Sequence, residues 1–462
     1  MNKSEKDLIL VSRQSFISAV KTIFFSSLYL FLLASIAFAQ QIDNKLSLKE
    51  AVKLALASDN NLLAARASLR ASEMGIKTAK AAYYPKLILS GSYSRLSKIN
   101  EITLPIQIPG IDNSIEIGTD SPFNANLGLS YELYTFGRRP TGVKLSKTET
   151  ATVELNYNLA QKRIYDLTAR AYLLTVFAGE THKKLQTEKG RFEQIYILAQ
   201  NRFNQDLMSE FELLQMELRL EQYELSVLEA ANTLESAQLN LVRLLNIPAD
   251  KLPGFADNLD SDFFSLPEFA AQDDVLNFRE DYKQAKASTE MAALAKKIKK
   301  TAYFPSVSAF GAYDLRNGYQ PDLGKVESNF SVGVNFSWLL FDGFARRSEI
   351  AKQDYVAQAS SYLADDLSLK IPVQVKNTRL ALANSESRIK VSQHALIVAE
   401  KAMSIANTRF NLGDISMIEF LEAENQYSQA DLGLLKLKFE NLLAQLDFKQ
   451  AAGYYPEIES QN

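Results

Sequence analysis

The 462-residue chain contains no cysteine and only two histidines, His182 and His394. The lack of cysteine excludes disulfides, thiolate zinc sites, cysteine nucleophiles and a lipid-anchored cysteine. Both histidines lie in polar stretches, which leaves little material for a histidine-based metal or catalytic site. We therefore predict that the protein carries no cofactor and no resident metal.

The chain also lacks a strong charge of either sign, since its net charge is -3. No basic field suggests a nucleic-acid partner. Neither a P-loop, a G-x-G-x-x-G loop nor an H-E-x-x-H helix occurs, so the common nucleotide-binding and zinc-hydrolase signatures are missing. The sequence predicts a protein that is not an enzyme.

Long apolar runs are missing after the N-terminus. Lys3, Lys6, Arg13 and Lys21 form a basic leader, residues 23–38 are apolar, and residues 37–39 read Ala-Phe-Ala. This order is typical of a signal peptide, here residues 1–39, that is cleaved before Gln40. An uncleaved anchor is the alternative, although the run is short for a spanning helix. If the rest of the chain crosses a membrane, it must do so as a closed barrel.

Three landmarks occur twice in the chain, in the same order. Residues 82–85 (Ala-Tyr-Tyr-Pro) return at 302–305 (Ala-Tyr-Phe-Pro), residues 136–138 (Phe-Gly-Arg) resemble 341–343 (Phe-Asp-Gly), and residues 202–204 (Arg-Phe-Asn) return at 409–411. Their nearly constant separation predicts two homologous repeats, 40–246 and 270–453. A proline- and aspartate-rich linker, 247–269, joins them, and a tail, 454–462, follows.

Each repeat contains two short segments that alternate between apolar and polar residues. In 125–133 the odd positions are apolar or aromatic and the even positions are small or polar, and 330–338 shows the same alternation. The segments that follow Pro85 and Pro305 alternate less clearly. These patterns predict strands near 85–96, 124–136, 305–316 and 329–341. Such strands suit a boundary between lipid and water, or one half-buried face of a soluble sheet.

The remaining sequence predicts helices. Two long helices are expected at 138–204 and 344–411, with shorter ones at 209–246 and 416–452 and one before each first strand. Apolar residues including Leu167, Leu174 and Leu185 follow the spacing of a coiled-coil seam. Pro372 is expected to kink or interrupt the second long helix. At 1.5 Å per residue, either long helix would reach on the order of 100 Å, which suits a protein that spans a periplasm.

Four strands cannot close a membrane barrel, because the smallest have eight strands. An isolated four-stranded sheet would leave unpaired edges in lipid. A membrane location therefore requires several chains to share one barrel. The residue pattern alone leaves open whether two, three or four chains join.

With these motifs and the duplication, the sequence resembles the TolC family of outer-membrane efflux proteins. The resemblance implies an α+β membrane protein with a long α-helical coiled-coil barrel in the periplasm and four strands per chain in a shared transmembrane β-barrel. It implies a homotrimer in the outer membrane of a Gram-negative-type envelope, in contact with lipid. The partners would be a periplasmic adaptor protein and an inner-membrane pump, through which substrates leave the cell passively.

The resemblance also implies the site residues. Glu419 and Glu422, three residues apart on one helical face, would form the narrowest ring of the tube and favour cations. The turns between long and short helices would dock the adaptor, through Arg202, Phe203, Asp206, Ser209, Arg409, Phe410, Gly413 and Ser416. Aromatic residues at the helix–strand junctions would mark the membrane interface: Tyr83, Tyr84, Tyr303 and Phe304.

Simpler structural roles compete with these assignments. Glu419 completes a capping box with Ser416, so it could simply cap a helix. Arg202 and Arg409 could pair across helices or cap the ends of the long helices. The junction aromatics could be ordinary core residues. A periplasmic adaptor is the alternative function, and drug, metal or protein cargo stays open because the pump selects it.

Overall fold

The computed structural model describes residues 45–103, 105, 114–267, 275–319 and 322–459. The predicted signal peptide lies outside these residues. The helices are α1 (Leu48–Ser58), α2 (Asn60–Ala81), α3 (Arg138–Phe203), α4 (Glu210–Leu245), α5 (Glu280–Lys300), α6 (Ala345–Leu412), α7 (Met417–Ala452) and α8 (Pro456–Glu459). The strands are β1 (Lys86–Tyr93), β2 (Asn100–Thr103), β3 (Ser114–Ile117), β4 (Phe123–Tyr134), β5 (Ser306–Arg316) and β6 (Glu327–Ser337).

The two long helices are continuous. Helix α3 has 66 residues, and Pro140 lies in its first turn, where the missing N–H costs no hydrogen bond. Helix α6 has 68 residues and includes Pro372 in its interior, so of the two predicted effects of this residue, a kink or an interruption, the interruption is wrong. Proline removes one backbone hydrogen bond, and the neighbouring Ile371 is buried, which anchors the helix at that point. No helix in the described part of the chain is long and apolar enough to span a membrane.

The buried face of α3 matches the predicted seam in part. Leu167 and Leu174 are exposed in the single chain, whereas Tyr172 and Leu173 are fully buried. Leu185 is buried as predicted. Helix α3 carries apolar residues on several faces, and spacing alone cannot tell which of these faces a neighbouring element covers.

The chain divides into two compact units. The first comprises the described residues within Met1–Asp59, Lys162–Pro267 and Asn377–Gln450, and the second comprises those within Asn60–Gln161, Glu268–Lys376 and Ala451–Asn462. The first unit therefore contains the turns between the long and short helices. The second unit contains the strands and the helix ends that adjoin them. Helices α3 and α6 contribute residues to both units.

In the first unit, the linker is folded against a helix. Leu46 pairs with Phe255 in a parallel bridge, and the Tyr172 hydroxyl of α3 donates a hydrogen bond to the Leu46 carbonyl at 2.7 Å. The same hydroxyl lies 2.8 Å from Oδ2 of Asp257. These contacts hold residues 254–257 beside α3.

The second unit contains a four-stranded antiparallel sheet in the order β1-β4-β5-β6. The register pairs Leu89 with Leu127, Leu127 with Tyr313, and Tyr313 with Phe330. Because side chains alternate between the faces of a strand, this register places the apolar positions of all four strands on one face. The apolar face contains Leu87, Leu89, Tyr93, Phe123, Ala125, Leu127, Leu129, Tyr131, Val307, Ala309, Tyr313, Leu315, Phe330, Val332, Val334 and Phe336.

The opposite face of the sheet is mainly polar. Asn126 donates a hydrogen bond to Asp314 at 2.6 Å, and serines and asparagines occupy most other positions. Phe310 is a large apolar exception, and its ring lies over Gly333. A Cβ atom at Gly333 would lie 2.8 Å from the Phe310 ring, so this glycine provides the space that the ring occupies.

Each passage from a strand to a long helix uses two residues with left-handed backbone. They are Phe136 and Gly137 before α3, and Gly343 and Phe344 before α6. A positive φ is unfavourable for an aromatic residue and persists only where its surroundings hold it. Phe136 stacks on Phe304 with ring centroids 4.7 Å apart, which supplies such support.

A small hairpin, which the sequence patterns did not predict, lies outside this sheet. In the part of the chain that the structure describes, strands β2 and β3 pair only with each other, from Asn100–Ile117 to Thr103–Ser114. The predicted tail also contains the short helix α8.

Candidate functional site

The two turns at the ends of the long helices have similar geometry. We call residues 202–212 and 409–419 the tip. The backbone is left-handed at Asp206 and Gly413, with φ of 55° and 80°. In both turns the next amide N–H reaches back to the last helical turn. The Leu207 N–H donates to the Arg202 backbone carbonyl at 2.9 Å, and the Asp414 N–H donates to the Arg409 backbone carbonyl at 2.9 Å. Asp206 therefore adopts the conformation for which its counterpart uses glycine.

Both turns lead into a capping box. The Ser416 N–H and hydroxyl donate to Oε2 of Glu419 at 2.9 and 3.0 Å, and the Glu419 N–H donates to the Ser416 hydroxyl at 3.3 Å. Ser209 and Glu212 make the same three bonds. The Ser416 backbone N–H, followed by its hydroxyl, holds the pKa of the Glu419 carboxyl below its ordinary value. Glu419 is thus an ionised carboxylate that caps α7.

Glu422 has a different environment. It is exposed, and its Oε1 accepts a hydrogen bond from the Gln426 side chain at 2.7 Å, one helical turn further along α7. The corresponding residue after the first turn is Gln215, whose Oε1 is buried without a hydrogen-bond partner. Only the second turn therefore presents an exposed acidic side chain at this position.

Arg202 links the two turns. Its guanidinium donates to the carbonyls of Phe410 and Asn411 at 2.8 and 2.7 Å and lies 4.8 Å from the centre of the Phe410 ring. The arginine of one long helix therefore caps the C-terminal end of the other, which combines the two predicted roles. Arg409 instead bonds to its own turn, through the Asp414 carbonyl at 3.2 Å.

An apolar cluster lies beneath the turns. Phe410 stacks on Phe420 with ring centroids 4.6 Å apart. Phe203, by contrast, is only partly buried. The buried members of the cluster come from α3, α4, α6 and α7: Phe192, Ala199, Met216, Tyr223, Met403, Ala406, Phe410, Met417 and Phe420.

A buried carboxylate adjoins this cluster. Glu424 is 1% exposed, and Arg219 of α4 donates to its Oε2 through Nε at 3.0 Å and Nη2 at 2.8 Å. The Tyr223 hydroxyl donates to the other oxygen. Burial raises the pKa of the Glu424 carboxyl, and the Arg219 guanidinium opposes this shift. The arrangement ties α7 to α4.

A second buried carboxylate ties α7 to α3. The Ser428 hydroxyl donates to Oε2 of Glu188 at 2.8 Å, whereas Oε1 of Glu188 is buried without a hydrogen-bond partner. Burial raises the pKa of the Glu188 carboxyl, and the Ser428 hydrogen bond opposes this shift. Sequence reasoning missed both carboxylates. A sequence signal existed. Met417 and Phe420 are apolar at helical spacing and mark the buried face of α7, and Glu424 and Ser428 continue the same spacing.

The predicted interface aromatics lie at the helix–strand junctions. Tyr84 is 72% exposed, and Tyr83, Tyr303 and Phe304 are each about half exposed. Arg139 lies over the Tyr83 ring at 5.8 Å. Arg346 occupies the equivalent place over Tyr303, at 4.9 Å. All four aromatics are surface residues, and Tyr83 and Tyr303 have cationic neighbours, which disfavours the alternative that they fill a core.

No group of three or more histidine, aspartate or glutamate side chains in the described ranges could hold a metal ion. The site is therefore a set of helix turns, buried carboxylates and one exposed glutamate. Such a site can dock a protein or act on passing ions.

Comparison with known proteins identifies the family. The family model described as "Outer membrane efflux protein" matches residues 51–246 and 271–454. The chain belongs to the outer membrane efflux protein family. It is therefore an outer-membrane efflux protein with a periplasmic helical extension, and the alternative of a periplasmic adaptor is wrong. The family is one of transport proteins.

Individual relatives agree with this assignment. The outer membrane protein TolC of Vibrio cholerae is 20% identical over 426 residues, which cover 89% of this chain and 91% of that protein. A crystal structure of CusC has a TM-score of 0.76 at 17% identity, covering 88% of this chain and 92% of that one. The CmeC outer membrane channel of Campylobacter jejuni has a TM-score of 0.73 at 20% identity, covering 88% and 85%. The chain therefore shares the fold of outer-membrane channels.

Proposed function

We propose that this efflux protein is a duct whose strands form part of a transmembrane β-barrel shared by three copies. The observation that carries the proposal is the register of the sheet, which collects the apolar positions of all four strands on one face. Leu89 and Val332 on that face are 76% and 69% exposed in the single chain. A sheet with an exposed apolar face and a polar face fits a barrel wall between lipid and a water-filled lumen.

The sheet requires partner chains. Within the described residues, strands β1 and β6 each have a single neighbour, so both edges of the sheet are unpaired there. Unpaired backbone groups cost several kcal/mol each in hydrocarbon. Three copies would supply twelve strands, and pairing β1 of one copy with β6 of the next would remove every edge. The repeated landmarks support an internal duplication, in which each repeat contributes two strands.

The long helices would then form the periplasmic tunnel, with the tip at its end. Because Glu419 is engaged in the cap of α7, we assign the constriction chiefly to Glu422. Three copies would bring three Glu422 carboxylates to one axis, with three Glu419 carboxylates a turn away. This ring would favour cations over anions.

The exposed surface of the tip is assigned to the adaptor. Leu207 and Leu412 are each more than 70% exposed although the surrounding helices bury a large apolar cluster. An exposed apolar patch is typical of a docking surface, and these two leucines would contribute to such a patch. The inner-membrane pump would select the cargo, and the duct would carry it out passively.

Single-channel conductance of the purified protein in planar bilayers tests these assignments. We expect discrete, cation-selective openings, with lower cation selectivity for Glu422→Gln. Glu235→Gln, which removes an exposed carboxylate from α4, is the control and should change selectivity less. A protein that never conducts would contradict the duct. A conducting Glu422→Gln variant with unchanged selectivity would contradict the constriction.

A further inference from the structure

All four passages between the sheet and the helices lie at one end of the sheet, where strands begin or finish. Strand β1 begins at Lys86, β4 ends at Tyr134, β5 begins at Ser306 and β6 ends at Ser337. The register aligns these ends, since Ser306 pairs with Ser337 and Val307 pairs with Tyr134. We call residues 79–87, 131–141, 296–306 and 337–349 the collar. The helices are periplasmic, so the collar marks the periplasmic end of the sheet.

The collar is strongly basic. It contains ten lysines and arginines and three carboxylates, a net charge of ten less three, or +7, in a chain whose overall charge is -3. The cations are Lys80, Lys86, Arg138, Arg139, Lys296, Lys297, Lys299, Lys300, Arg346 and Arg347. The carboxylates are Glu132, Asp342 and Glu349.

At the opposite end of the sheet, positive and negative charges are equal in number. Residues 94–99, 118–123 and 314–329 contain four cations, Arg95, Lys98, Arg316 and Lys325, and four carboxylates. Charge on the sheet is therefore asymmetric. A general need for solubility does not explain this difference in charge, because it would apply equally to both ends of the sheet.

Part of the positive charge has no ion-pair partner within the described part of the chain. The three collar carboxylates are paired: Glu132 with Arg138, Asp342 with Arg346, and Glu349 with Lys299. Four exposed cations make no ion pair among the described residues: Lys80, Lys297, Lys300 and Arg347. Their charge is available to a ligand.

Apolar, aromatic and cationic residues follow one another toward the periplasm. The apolar face of the sheet ends near Leu87 and Phe336, exposed aromatics such as Tyr84 and Phe341 come next, and the collar cations adjoin them. A bilayer presents hydrocarbon, interface and headgroups in the same order. An acidic protein partner would not require this order.

We infer that the collar binds anionic phospholipid headgroups of the periplasmic leaflet and so fixes the depth of the channel in the membrane. One lysine at an anionic surface favours association by about fivefold. The inference rests on the proposed barrel, since it needs the apolar face to lie in lipid.

Spin-labelled lipids at the boundary of the reconstituted protein provide the test. The probes are phosphatidylglycerol and phosphatidylcholine, and their relative association with the protein is measured at low and high salt. We expect about fivefold preference for phosphatidylglycerol at low salt, falling as salt screens the charges. The quadruple variant Lys80→Gln, Lys297→Gln, Lys300→Gln and Arg347→Gln should lose most of this preference.

A matched control removes the same number of cations from the opposite end of the sheet, through Arg95→Gln, Lys98→Gln, Arg316→Gln and Lys325→Gln. It should keep the preference. Equal association of both lipids with wild-type protein, or equal loss in both quadruple variants, would overturn the inference. Conductance in phosphatidylcholine bilayers separates the two proposals: conducting protein without lipid preference refutes the collar alone, and protein that neither inserts nor conducts refutes the barrel.

Discussion

Arg219→Ala should loosen the packing of α7 against α4 by leaving Glu424 without its cation. Glu424 is 1% exposed in the wild type, and after the substitution its carboxylate would keep the hydrogen bond from the Tyr223 hydroxyl but lose both bonds from the guanidinium. Removing one partner of a buried ion pair costs about 3–5 kcal/mol, because the remaining charge is uncompensated. Replacing both partners with apolar residues costs far less and is often neutral. We therefore expect Arg219→Met with Glu424→Leu to recover most of the loss.

Amide hydrogen exchange over residues 417–428 measures this effect locally. A loss of about 3 kcal/mol corresponds to roughly a hundredfold faster exchange for amides that open with this segment. The effect should shrink in acid. Burial raises the pKa of Glu424, so its folded form binds a proton more readily than its unfolded form, and protonation removes the uncompensated charge as pH falls.

Two results would refute this reasoning. One is an Arg219→Ala variant whose segment exchanges as slowly as in the wild type at neutral pH. The other is a double variant that exchanges as fast as the single one. Either result would mean that the ion pair does not hold α7 against α4.

Further predictions concern Glu188, Asp206 and Gly333. Burial raises the pKa of Glu188, so the wild-type protein near this residue should become more stable as the pH falls toward the ordinary pKa of a glutamate and the carboxyl becomes neutral. Glu188→Gln should flatten this pH dependence in hydrogen exchange, and an unchanged pH profile would contradict the prediction. At Asp206, with φ of 55°, replacement by valine should destabilise the turn by about 1–2 kcal/mol, whereas glycine should be tolerated; equal unfolding temperatures for the two variants would contradict the left-handed turn. Gly333→Ala should cost about 1–3 kcal/mol because the new Cβ meets the Phe310 ring at 2.8 Å, and Phe310→Leu should restore the unfolding temperature. Gly311→Ala is the control, since its Cβ would make only ordinary contacts.

Much of the tip followed from local sequence. A serine with a glutamate three residues later predicts a capping box, and Ser416 and Glu419 form one. The TolC-type family was also recognised correctly, because the order and spacing of the repeated motifs extend over most of the chain. Capping boxes and turns depend on residues a few positions apart, so sequence patterns represent them directly.

Long-range pairing could not be predicted in this way. The alternation after Pro85 and Pro305 was too weak to assign a face. The register decides it, by pairing Leu89 with Leu127 and Tyr313 with Phe330. The buried pair of Arg219 and Glu424 joins residues 205 positions apart, and Leu167 resembled a seam residue but is exposed.

Local sequence patterns were sufficient to predict the long helices, the four strands of the main sheet, the caps, the turns and the family. These features depend on local backbone preference and on periodicity within one segment. The three-dimensional packing was needed to show which faces are covered, which charges are buried and how the collar cations come together at one end of the sheet. Burial and charge compensation depend on neighbours supplied by distant parts of the chain, and no pattern within a single helix or strand specifies those neighbours.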